Sequence, residues 1–119
     1  MFADEIRDYC IAKKGVTESF PFDETTLVFK VMNKMFLLVA LDESPVRFNA
    51  KCDPEKATEL REQYPDAVLP GYHMNKQHWN TIICNDFLSE KQTKQMIDDS
   101  YNLIIESLPK KVKAELESL

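Results

Sequence analysis

The sequence predicts one α+β domain: an antiparallel sheet of about five strands with helices packed on one face, in the order α-β-β-β-α-β-β-α-α. Three observations predict it. The length, 119 residues, is one domain's worth. Helical periodicity occurs at both ends and once in the middle, with short β-branched and apolar runs between. Those runs are joined by turns too short to hold a crossover helix, so neighbouring strands pair antiparallel. An apolar content of 44% supports one packed core without disulfides or metal.

The elements follow in order. Residues 2–13 read as a helix: Phe2, Ile6, Tyr9 and Cys10 recur near helical spacing, acids crowd the first turn, and Lys13-Lys14-Gly15 supplies a basic end and a glycine stop. Residues 16–25 read as a loop carrying Phe20-Pro21-Phe22. Thr26–Val31 and Met35–Leu41 form a hairpin around Met32-Asn33-Lys34, and after the turn Asp42–Pro45 a third strand runs from Val46 to Cys52. Asp53 is suited to cap a helix that Pro54 opens, ending near Gln63 before Tyr64-Pro65. Val68–Met74 and Trp79–Asn85 read as two more strands around Asn75-Lys76-Gln77, with a bulge or bend at Pro70-Gly71. Ser89 and Gln92 form a capping box for the longest helix, which ends near Ser107, and a short helix over 110–117 closes the chain.

Alternation assigns faces. Val46, Phe48, Ala50 and Cys52 share one side of their strand, and Arg47, Asn49 and Lys51 the other. Leu27, Phe29 and Val31 oppose Thr26, Val28 and Lys30; Trp79, Thr81 and Ile83 oppose Asn80, Ile82 and Cys84. The polar face is expected to carry Lys30, Arg47, Asn49, Lys51 and Asn80. Charge sorts with this division. Segments 25–52 and 67–85 hold five basic against two acidic residues, whereas the rest holds ten against eighteen, for a total of −5. An anionic partner would meet the sheet side; helices carrying more surface charge than strands would give the same pattern.

Several function classes find little support. The first residues, with Asp4, Glu5, Arg7 and Asp8, lack a signal-peptide pattern. The longest apolar run, Met35–Leu41, is far short of the roughly 20 residues of a membrane span, so a cytoplasmic location is expected. Cys10, Cys52 and Cys84 are odd in number and widely spaced, which predicts reduced thiols, at least two in the core, rather than a disulfide framework or zinc site. Cys52 lies near a helix start and Lys51, a setting that can activate a thiol, but alternation places it on the core side. His73 and His78 are the only histidines, and the nearest acids, Asp66 and Asp86, flank the segment at a distance. No nucleophile–base pair, phosphate loop or metal set emerges, so no catalysis and no cofactor are expected. Backbone bonding near the bend accounts for His73, turn chemistry for Asn75 and Lys76, and the core for Trp79.

The densest run is Pro70-Gly71-Tyr72-His73-Met74-Asn75-Lys76-Gln77-His78-Trp79-Asn80-Thr81. It resembles the P-G-Y-H-x-N-K-x-H-W-N-T signature of the MmcQ/YjbR family. Thr26–Val31 with Lys34-Met35-Phe36, Lys51–Pro54, Leu60-Arg61, Tyr64-Pro65, Ser100-Tyr101 and Leu108–Lys111 agree in order, so the resemblance spans nearly the whole chain. It implies a fold similar to CyaY, the bacterial frataxin-like protein, and a DNA-binding role through a "double-wing" motif. The wings would be the hairpins around Met32-Asn33-Lys34 and Asn75-Lys76-Gln77. The acids of the first helix are too few to suggest an iron-binding ridge, and fold alone does not transfer one.

Two functions from different classes follow. In the first, the sheet face and hairpins contact DNA phosphates. Lys30, Lys34, Arg47, Lys51 and Lys76 supply charge, and Tyr72, His73, Asn75 and Asn80 add stacking and hydrogen bonds. With a net charge of −5, such binding is expected to be weak and salt-sensitive. In the second, the same basic and aromatic face takes a small anion or a protein. Lys30, Arg47, Lys51 and Lys76 spread over a convex surface with protruding hairpins would favour DNA; their convergence with His73 and Tyr72 in a concave pocket would favour a ligand. Nothing in the sequence selects an oligomeric state.

Overall fold

The computed structural model describes residues 1–119. Four helices and six strands follow one another as α1 (Ala3–Ile11), β1 (Val16–Ser19), β2 (Thr26–Val31), β3 (Lys34–Ala40), β4 (Arg47–Lys51), α2 (Pro54–Gln63), β5 (Val68–Pro70), β6 (Trp79–Ile83), α3 (Glu90–Ser107) and α4 (Lys110–Glu117). The strands form one antiparallel sheet in the order β1-β2-β3-β4-β6-β5. The predicted α+β class and element order hold, with one strand added. No helix is long and apolar enough to cross a membrane.

The added strand, β1, lies where the sequence reads as loop. Its four residues, Val-Thr-Glu-Ser, hold a single apolar side chain, too little alternation to signal a strand. Pairing supplies what pattern does not. β1 runs along the edge of β2, and Glu18 turns to the helix side, where Arg7 of α1 donates to it through Nε and Nη2 at 2.7–3.1 Å. The second difference is β5. It stops at Pro70, because the chain must pass so close to Trp79 at Gly71 that a Cβ there would lie 2.8 Å from the Trp79 Cβ. The predicted tight hairpin around Asn75-Lys76-Gln77 is therefore a wider loop over residues 71–78.

All four helices pack on the same face. Ile6 and Cys10 of α1, Ile97 and Ile104 of α3, and Leu116 of α4 bury against Phe29, Phe36, Phe48 and Ile82 of the sheet. The local signals are the expected ones. Asp53 accepts from Lys56 N at the start of α2, and Ser89 and Gln92 exchange the reciprocal bonds of a capping box at the start of α3. Ser100 joins α3 to the sheet. The β3–β4 ladder is regular as far as Leu37–Ala50. At the next step the fully buried Ser100 hydroxyl accepts from Lys51 N at 2.8 Å and donates to Phe36 O. One side-chain oxygen thus satisfies two backbone groups where the strands part.

A second tie holds α1 to α3. The Tyr9 hydroxyl donates to the Asp98 carboxylate at 2.8 Å, and Lys13 Nζ pairs with the same carboxylate while lying 4.7 Å from the centre of the Tyr9 ring. Burial first, and then the bond to Asp98, pushes the Tyr9 phenol up to about 12.

Two outcomes are expected. Ser100→Ala strands a buried donor and a buried acceptor, and should cost about 1–3 kcal/mol in urea unfolding; an unchanged midpoint would mean that Lys51 N and Phe36 O re-pair directly. The Tyr9 phenol is held neutral by the fold. Its contribution is therefore complete below the unfolded value of about 10 and disappears as the pH rises through about 12. Stability of the native protein should fall more steeply over that window than stability of Tyr9→Phe, measured by denaturant titration at stepped pH.

Candidate binding groove on the open sheet face

The face away from the helices is not simply polar. The strand registers align Ser19, Val28, Leu38, Asn49, Thr81 and Leu69 in one row across it. Val28 and Leu38 in this row are 0% and 7% exposed, although no helix covers them. The protection comes from loops. A polar clip fastens one of them: Thr81 Oγ1 donates to Asn49 Oδ1 and accepts from Tyr72 N at 3.0 Å, while Asn49 Nδ2 donates to Tyr72 O at 3.0 Å. The backbone of Tyr72 is thereby pinned above the sheet.

The rest of the 71–78 loop is held as firmly. Gly71 N donates to Trp79 O, and Trp79 N to Asn75 O, both at 2.9 Å. Asn75 Oδ1 accepts from Gln77 N in a local turn, and Lys76 Nζ donates to Gly71 O. His73 sits at φ 59, in the left-handed region. From the helix side, Arg61 of α2 donates through Nε to Asn80 Oδ1 at 2.7 Å and through Nη2 to Lys76 O and Trp79 O. Asn80 Nδ2 in turn donates to Ala57 O. Asn80 therefore does not belong to the polar face on which the sequence places it. It shares the helix side with Ile82, is 2% exposed, and is stable there because Arg61 and Ala57 satisfy its amide. Trp79 also differs from expectation: it lies half-buried on the open face opposite Lys51, outside the helix-side core.

Between this loop and the 20–25 loop lies a groove of about 890 Å³. Leu38, Arg47 and Asn49 are among the residues of its floor, and Phe22 and Tyr72 stand on either side, 63% and 69% exposed. The Tyr72 and His73 rings lie with centroids 4.0 Å apart. Arg47 is the single basic residue of the lining. Its Nε is buried and has no hydrogen-bond partner, and no carboxylate pairs with its guanidinium. Three carboxylates also line the groove: Asp23, Asp42 and Glu43. Asp23 is committed to its own loop. Bonds from the Thr26 and Thr25 amides hold its carboxyl below the usual range. Asp42 and Glu43 lie exposed on the β3–β4 turn.

The structure thus brings Arg47, Tyr72 and His73 together, with Asn49 beside them. Lys30, Lys34, Lys51, Asn75 and Lys76 do not line the groove. Lys30 and Lys51 are half-buried on the open face toward its other end, and Lys34, Asn75 and Lys76 are exposed in the two connections there. Arg61, which locks the loop, and Phe22, Asp42 and Glu43, which complete the groove, carry no functional signal in the sequence beyond Phe22's place in an aromatic loop. Cys10 and Cys52 are buried and Cys84 half-buried. Burial raises all three thiols, Cys10 to about 12, which opposes a reactive role for Cys52.

The family model YjbR matches residues 11–103. The chain is 33% identical to Escherichia coli YjbR over 119 residues, the whole of both chains. It is 36% identical to E. coli YbdF over 92 residues, 77% of this chain and 75% of the relative. Among solved structures, Deinococcus radiodurans DR2400, a DUF419 domain, superposes with a TM-score of 0.91 at 34% identity, over 96% of this chain and 86% of that one. A Pseudomonas syringae protein does so with a TM-score of 0.73 at 26% identity, over 87% and 98%. In length, sequence and fold, the chain belongs to the YjbR family.

Proposed function

We propose that the protein is a non-catalytic binding module that takes a small ligand bearing an anionic group in the groove on its open sheet face. The observation that carries this is Arg47. A buried guanidinium nitrogen with no acceptor is rare in folded proteins and costly to maintain. The same residue lines a concavity whose volume falls within the range that holds small molecules. Tyr72 and Phe22 offer ring faces for an apolar body, and Asn49 is already fixed by its bonds to Thr81 and Tyr72. The lining assembles recognition groups. Its one histidine packs at a tilt against a tyrosine ring.

A second reading, DNA binding through two wings, draws on a different observation. In the register, Lys30 lies opposite Met35 and Lys51 opposite Trp79, so the β2–β3 turn and the 71–78 loop project from the same end of the sheet. Lys30, Lys34, Lys51 and Lys76 gather toward that end, away from Asp23, Asp42 and Glu43. Such a grouping would give two wings a modest positive field for DNA phosphates. Lys76 is already engaged by Gly71 O, which leaves Lys30, Lys34 and Lys51 as the informative positions.

The two readings separate in solution. Small carboxylates and phosphates added to the isotope-labelled protein should shift the Arg47 Nε–H and the Tyr72 and His73 amides, and Arg47→Gln should weaken binding about tenfold or more with the fold intact. Labelled DNA followed by anisotropy at ~50 and ~200 mM salt is expected to bind weakly at most. Salt-sensitive DNA binding that is lost in Lys34→Ala and Lys51→Ala, with no anion at Arg47, would reverse the order of the two readings.

A further inference from the structure

The charge balance of the groove narrows its occupant, given the reading of Arg47 as an anion receptor. One guanidinium stands against three carboxylates in the lining. A phosphate monoester carries close to two negative charges near neutral pH and meets net repulsion here. A simple monocarboxylate matches Arg47 but still meets the acids. Asp23 stays a carboxylate, solvated by the amides and hydroxyls of Thr25 and Thr26. Asp42 and Glu43 have no partner of any kind: neither forms an ion pair, and no side-chain hydrogen bond reaches them. The backbone brings their turn close to Arg47. Ala40 lies directly opposite Arg47 in the β3–β4 register, and the chain leaves β3 at Ala40 to place Asp42 and Glu43 on the turn beside the same strand pair.

We propose that the groove receives a zwitterion of the α-amino-acid type, with an apolar or aromatic side chain. Its carboxylate accepts from the Arg47 guanidinium, since a planar carboxylate matches two parallel donors. Its ammonium faces Asp42 and Glu43, whose charge is otherwise uncompensated. Its side chain lies on the apolar part of the groove, between Leu38 below and the exposed rings of Phe22 and Tyr72. Each charge of the ligand then meets the opposite charge.

The test uses four probes on the full chain, followed by heteronuclear NMR: L-phenylalanine, 3-phenylpropionate, L-phenylalaninamide and phenyl phosphate. L-Phenylalanine should shift Arg47 Nε–H, Tyr72 and His73 and should bind most tightly. Removing either of its charges should weaken it about three- to fivefold. The exposed double variant Asp42→Asn/Glu43→Gln should weaken L-phenylalanine and strengthen 3-phenylpropionate, a reversal that a merely structural effect would not produce. If 3-phenylpropionate, L-phenylalaninamide or phenyl phosphate binds as tightly as L-phenylalanine, or if the double variant leaves the order unchanged, the zwitterion is overturned; anion binding at Arg47 survives where 3-phenylpropionate or phenyl phosphate is the tight binder. If none of the four probes shifts the groove, both inferences fall.

Discussion

A sheet covered by helices on one side must still shield the apolar side chains that alternation sends to the other. In this chain that requirement falls on Val28 and Leu38, at the centre of the uncovered face. Their burial depends on the loops at 20–25 and 71–78 lying over the sheet instead of extending into solvent. Two loops laid over a flat sheet leave a trough between them. The groove is therefore a product of how the fold protects its second face, and Arg47 and Asn49 enter it because they share the strand face of Leu38's neighbours.

Holding a loop against a sheet is difficult because its backbone polar groups lose water without gaining ladder partners. The 71–78 loop meets this from both sides of β6. Thr81 and Asn49 take the amide and carbonyl of Tyr72 on the open face, and Arg61 reaches from α2 to the carbonyls of Lys76 and Trp79. Ser100 performs the same service between β3 and β4. Polar side chains at strand boundaries do much of the positioning here, while the packed aliphatic and aromatic cluster supplies the cohesive energy.

Much of this architecture was legible in the residues. Capping at Asp53 and Ser89 and the strands over 26–31 and 47–51 are local signals, and local physics decides them; the first helix ends at Ile11, four residues short of the expected glycine stop at Gly15. β1 was not legible, because an edge strand of four mostly polar residues exists only through its pairing with β2 and the Arg7–Glu18 contact. The side of β6 that faces the helices was also misjudged at Asn80. A buried asparagine and an exposed one look alike until Arg61 and Ala57 are known to be its partners. Of the candidate site, Arg47, Tyr72 and His73 could be nominated from alternation and from the dense signature. Phe22 comes from a loop distant in sequence and Asp42 and Glu43 from the turn before Arg47, and no periodicity could place all three in one groove. Several signature positions serve the loop's own geometry: Gly71 for close approach, Asn75 for its turn, Lys76 for Gly71 O, and Thr81 for the clip.

The clip at Tyr72 grips only the peptide groups of that residue. Its phenol ring, and the imidazole beside it, take no part in fastening the loop. Scaffold and recognition are thus assigned to different atoms of the same residue. A descendant of this chain can exchange the ring at position 72 for another side chain, and so acquire a new taste in ligands, while the loop keeps its course over the sheet. The groove is in this sense a socket with a replaceable lip, and diversification among related domains can proceed there without renegotiating the fold.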